Sequence, residues 1–114
     1  MKTQLSLGSL LIAVSLAAFT SQAFAAVDED AANEVLDRND CTKCHDVTKT
    51  KKGPAFKKIA AKFKGKADAK EKMLDNVTKQ PMVKLDDGTK EKHKKIDTKD
   101  PKELDNLFEY ILSR

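Results

Sequence analysis

The stretch NDCTKCHDV (residues 39–47) holds both cysteines of this 114-residue chain and one of its two histidines. Two thiols separated by two residues, with a histidine directly after the second, serve three chemistries. They form a redox dithiol, supply half of a zinc site, or attach a haem covalently. The five residues CTKCH recur by chance, so the surrounding sequence has to separate these readings.

Toward the N-terminus, Lys2 precedes the uncharged apolar run LSLGSLLIAVSLAAF, and Ala23-Phe24-Ala25 forms the small-x-small pattern of a signal-peptidase site. The run is too short and wrongly flanked for a membrane anchor, so residues 1–25 are expected to be a cleaved export signal. Residues 26–114 then make one domain, destined for the periplasm and without stable membrane insertion. Exported cysteines ordinarily pair, but two at i and i+3 close a loop too small to stabilise a fold much. Charged residues make up 35% of the chain, which leaves little apolar material for a core. A large apolar prosthetic group would relieve that shortage.

The competing readings of CTKCH fare worse in this context. Zinc takes four ligands, usually with a second close pair, and only His93 remains as another good donor. A thioredoxin-like dithiol belongs to a βαβ pattern, and no strand signal competes here. In haem attachment, Cys41 and Cys44 add across the vinyl groups as thioethers and His45 becomes the proximal iron ligand. Export delivers the chain to the compartment where bacteria attach haem.

Around the motif the periodicity is helical. Residues 28–38 read as a short helix with Val35 and Leu36 facing inward. Gly53-Pro54 ends the loop after CTKCH, with the proline suited to the first turn of a new helix. Phe56, Ile59, Ala60 and Phe63 then recur at i, i+3, i+4 and i+7. Gly65 breaks that helix. Asp68 with Glu71 resembles a capping box opening a third helix to about residue 79, with Met73, Leu74 and Val77 as its apolar positions. The last helix has Asp100 as N-cap, Pro101 in its first turn, Glu103 reaching back, and an apolar stripe of Leu104, Leu107, Phe108, Ile111 and Leu112. Between the last two helices, QPMVKLDDGTKEKHKKIDTK (residues 80–99) shows no period; it contains Met82 and His93, and a loop of this length is usually functional or disordered. The fold class is all-α.

These features together resemble a small bacterial class I c-type cytochrome over the whole exported chain: a helix ending just before Cys41-Thr42-Lys43-Cys44-His45, then Gly53-Pro54, a middle helix, a ligand loop and an amphipathic last helix. The resemblance implies about four short helices wrapped around one covalent haem c, with the first and last helices crossing. That crossing would set Val35 and Leu36 against Leu107, Phe108 and Ile111. It implies that the Pro54 carbonyl accepts from the proximal histidine's Nδ1–H, and that Phe56 and Tyr110 pack near the haem, although a helical core role explains both aromatics equally well.

The sixth ligand departs from the family pattern, which usually supplies methionine from the loop before the last helix. His93 sits late in that loop, whereas Met82 has hardly left the preceding helix, and Met73 lies mid-helix beside Leu74. Spacing favours His93, with Met82 as the alternative and an open site as a third outcome. A bis-histidine subgroup of periplasmic class I-like cytochromes resembles this loop.

The implied function is single-electron transfer between redox partners; no nucleophile, acid–base pair or substrate pocket that would make an enzyme can be read. The alternative is a haem-based small-ligand (gas) binder or sensor with a displaceable sixth ligand. Formal charge is uneven: residues 43–66 carry nine lysines against Asp46 alone, while residues 28–40 carry six acids against Arg38 alone. Export argues against nucleic acid. Lys43, Lys49, Lys51, Lys52, Lys57 and Lys58 are read either as a solubilising surface or as a docking face for an acidic protein partner.

Overall fold

The computed structural model describes residues 26–114; the expected leader, residues 1–25, lies outside them. Among the described residues there are four α-helices: α1 (Glu29–Arg38), α2 (Phe56–Phe63), α3 (Ala69–Lys79) and α4 (Pro101–Leu112). In α1 the Asp28 carboxylate accepts the Ala31 N–H, Glu29 and Asp30 complement the positive end of the helix dipole, and Arg38 the negative end. Its inward face is Ala32, Val35 and Leu36. In α4 the Asp100 carboxylate accepts from Lys102 N–H, with Pro101 in the first turn where no donor is lost.

Helices α1 and α4 pack together, and α4 also covers α2. Val35, Leu36, Leu107, Phe108 and Ile111 lie in one buried cluster with Phe56, Phe63, Met73 and Ile96. Polar ties fix the packing: Asp28 N–H donates to the Asn106 side-chain oxygen, and the Asn106 amide donates back to the Asp28 carbonyl, both at 2.8 Å. Arg114, from the end of the chain, pairs with Glu29 at 2.7 Å and lies over the Tyr110 ring.

Several local expectations are corrected. Pro54 is not in the first turn of α2, whose N-cap is Ala55; it stands in the loop, where its carbonyl is used by His45. Asp68 stands at the N-cap position of α3 but makes no capping hydrogen bond; its carboxylate pairs with Lys72 at 2.7 Å instead. Glu103 reaches Arg38 of α1 at 2.9 Å, and the Asp100 N–H is satisfied by Thr98 Oγ1 instead. Leu74 is 37% exposed, and Ala69, Met73 and Val77 carry the inner face of α3.

The chain also contains a small sheet that the sequence reading omitted. Strands β1 (Met82–Lys84) and β2 (Lys90–Lys92) pair antiparallel, with Val83 opposite Glu91. Their turn uses Gly88 at φ +86° and an Asp87 carboxylate that accepts the Thr89 N–H and hydroxyl. Three-residue strands with almost wholly exposed side chains leave no alternating signal to read. The architecture remains helical, with the hairpin as an appendage of the loop between α3 and α4.

Candidate functional site

After α1, Asn39 caps the helix and Asp40 takes a left-handed conformation, φ 55°. A tight 3-10 turn follows at Cys41–Lys43. The Cys41 carbonyl accepts from both Cys44 N–H (3.2 Å) and His45 N–H (3.0 Å), so the two half-buried thiols and the imidazole emerge from one turn. Burial pushes the Cys41 thiol pKa up.

The loop beyond folds back under His45. Asp46 Oδ2 gathers the Thr48 and Lys49 N–H groups, and Gly53 N–H donates to the Cys44 carbonyl at 2.8 Å. This sets the Pro54 carbonyl 2.6 Å from His45 Nδ1. A carbonyl can only accept, so Nδ1 carries the proton and Nε2 is left as the ring's lone pair. Gly53 is required by proximity: a Cβ there would lie 2.8 Å from His45 Cε1. Phe56 stacks on the imidazole with ring centroids 5.5 Å apart, and Tyr110 meets Phe56 edge-on behind it. Burial lowers the His45 pKa, only partly offset by the bond to Pro54.

His93 follows β2 directly. Its N–H donates to the Pro81 carbonyl at 2.8 Å, and its Nδ1 lies 2.9 Å from the Lys94 carbonyl, which fixes the same tautomer as in His45. The two imidazole centroids stand 6.2 Å apart. Both rings, with Cys41 and Pro54, line a cavity of about 500 Å³ whose remaining wall is largely apolar, including Leu36, Phe56, Met73, Ile96, Leu107 and Phe108. Met82, by contrast, is 59% exposed on β1 and does not line it.

The residues present fit a haem. A flat apolar macrocycle needs apolar walls, thiols for its vinyl groups and an imidazole for its iron; the cavity wall supplies the apolar faces, Cys41 and His45, and Cys44 leaves the same turn as Cys41. Among the described residues no group of three or more His, Cys, Asp or Glu side chains is placed to hold a bare metal ion. Such a donor set suits iron that arrives inside its own macrocycle.

Three contributors escaped the sequence reading: Asn39, Ile96 and Asp97. Asn39 is buried, and its side chain binds the Val35 carbonyl, the Asp97 carboxylate and the Asp97 N–H. Ile96, 5% exposed, anchors the His93 loop and donates its N–H to the Val77 carbonyl. No periodic pattern marks any of the three. Lys43, Lys49, Lys51, Lys52, Lys57 and Lys58 are all exposed.

A helical fold around a cavity bearing CTKCH and its carbonyl-bound histidine is the frame of a c-type cytochrome. The chain matches the cytochrome c family over residues 30–114 and belongs to it. It is similar to the crystal structure of the class 1 cytochrome MtoD from Sideroxydans lithotrophicus ES-1: 47% identity, a TM-score of 0.72, covering 77% of this chain and 97% of that one. No curated protein matched. The chain is therefore a small class I c-type cytochrome, a haem electron carrier with one covalently bound haem c. Among the described residues no helix is long and apolar enough to cross a membrane.

Proposed function

We propose that the chain shuttles single electrons between redox protein partners in the periplasm, after removal of residues 1–25, with its haem tied by Cys41 and Cys44 and its iron held between His45 and His93. The observation that carries the ligand assignment is the 6.2 Å separation of the two imidazole centroids. Two imidazoles sharing one metal through Nε2 stand roughly 6.3 Å apart, given metal–nitrogen bonds of about 2.0–2.1 Å and about 1.1 Å from nitrogen to ring centre. Each Nδ1 is bound by a backbone carbonyl, so each Nε2 is the free donor.

When bound, haem supplies a one-electron iron couple. The chain's own groups tune it. The carbonyls of Pro54 and Lys94 make both imidazoles more basic and fix their orientation. Two histidines favour the ferric state more than a histidine–methionine pair, so the potential falls below that of a methionine-ligated relative. The helix faces give the cavity a largely apolar wall. The exposed lysines of the segment from Lys43 to Lys58 would attract an acidic partner, which suits small, charge-steered redox encounters.

The test is the ferric spectrum of holo-protein with His93→Ala and Met82→Ala. The expected result is a low-spin wild type, loss of the low-spin signature in His93→Ala, and no change in Met82→Ala. A near-infrared thioether–iron band, kept in His93→Ala and lost in Met82→Ala, would replace His93 by Met82.

A further inference from the structure

The three residues before Cys41 each bind the strand of chain that follows His93. Arg38 Nε reaches the Asp97 carboxylate at 3.1 and 3.2 Å. Asn39 binds Asp97 twice, donating to the carboxylate at 3.0 Å and accepting the Asp97 N–H at 2.9 Å. Asp40 binds Lys94 Nζ at 2.7 Å. We infer that Arg38, Asn39 and Asp40 are positioning residues for His93: they form a clasp joining the haem-attachment turn to the opposite wall of the cavity, and its closure holds the imidazole at the iron. The inference rests on the assignment of His93 as sixth ligand.

The clasp has a physical ranking. Asn39 is 4% exposed, and its amide satisfies a carbonyl, a carboxylate and an N–H at once, so truncation strands buried polar groups. Arg38–Asp97 is an exposed pair reinforced by Glu103 on α4. Lys94–Asp40 is an exposed ion pair that Lys43 shares, and such pairs contribute little. His93 itself is tied locally by its N–H to Pro81, so the clasp acts through the chain from 94 to 97 rather than on the ring.

A sixth ligand that must leave before an outside ligand enters makes cyanide binding to the ferric holo-protein a gauge of clasp opening. The expected rates rise by about fivefold or more in Asn39→Ala, by less in Asp97→Ala, and by under about twofold in Lys94→Ala. Hydrogen exchange at the Ile96 and Asp97 amides should accelerate in the same order. Asn106→Ala, which breaks the α1–α4 tie elsewhere, controls for general loosening and should leave the cyanide rate near wild type. If Asn39→Ala does not accumulate, Asp97→Ala, at an exposed position, carries the test. The clasp is overturned if Asn39→Ala and Asp97→Ala bind cyanide no faster than Asn106→Ala while His93→Ala binds it rapidly. If His93→Ala binds cyanide no faster than wild type, the ligand assignment falls instead.

Discussion

On the His45 wall of the cavity, residues 40–56 fold on themselves, whereas on the His93 wall, residues 93–97 are held mostly by partners far away in the chain. The Pro54 carbonyl that orients His45 is nine residues away, and Gly53 and Phe56 donate to the carbonyls of Cys44 and Asp46. The clasp partners of Asp97, Arg38 and Asn39, are 59 and 58 residues from it, and Ile96 leans on Val77 of α3. A loop closed by short-range bonds loses little chain entropy, while a strap closed across the domain depends on α1 and α3 already being docked. The distal wall should therefore open before the proximal one does.

Ile96→Ala should have the largest effect, because it removes the strap's only deeply buried side chain. A loss of about 2–5 kcal/mol in the urea unfolding of holo-protein is expected. Native-state hydrogen exchange at the His93 and Asp97 amides should rise well above that at Gly53. Equal acceleration at all three would mean that the two walls open as one unit.

Gly53→Ala strikes the other wall. The added Cβ would press on the His45 ring from 2.8 Å, against backbone that is itself bonded to Cys44, so neither side yields easily. Overpacking of this kind costs about 1–3 kcal/mol. The ferric spectrum should change through the displaced His45 while exchange at residues 93–97 stays near wild type. Acceleration there instead would show that the proximal loop supports the strap.

The same contrast explains what could be read from sequence. The proximal wall is written in contiguous residues, so CTKCH, Gly53-Pro54 and the Phe56 stripe were legible, as were all four helices from their apolar spacing and the last also from its Asp100 cap. The strap was legible only as a loop containing His93. Its hairpin is too short and exposed to show a period, and Asn39 and Asp97 look like ordinary polar residues until α1 and the strap are brought together. Glu103 was misassigned for the same reason: the local capping partner lost to Arg38, a residue on another helix. Signals confined to one turn of chain survive in sequence; those shared between elements do not.

The smallest predicted effect is acid loosening of the clasp. Asp97 is held below the usual carboxylate range by the hydrogen bonds from Asn39 and then Arg38. Glu103, which faces Arg38 from α4, is lowered by Thr98 and then Arg38. Arg38 is raised in turn, by Glu103 and then Asp97, and stays charged throughout. A carboxylate depressed by folding stabilises above its unfolded pKa, near 3.9 for Asp, and loses that contribution as pH falls through its folded value. Asp97→Asn keeps an oxygen acceptor but removes the titrating charge. The variant should thus unfold at lower urea than wild type at pH 7, and the gap should close as pH falls from about 4 toward 2. The shift should be smaller than for either core substitution, since the pair is exposed and screened by water and salt. A gap between wild type and variant that stays constant with pH would mean that Asn39, through its neutral amide, holds the strap without help from the Asp97 charge.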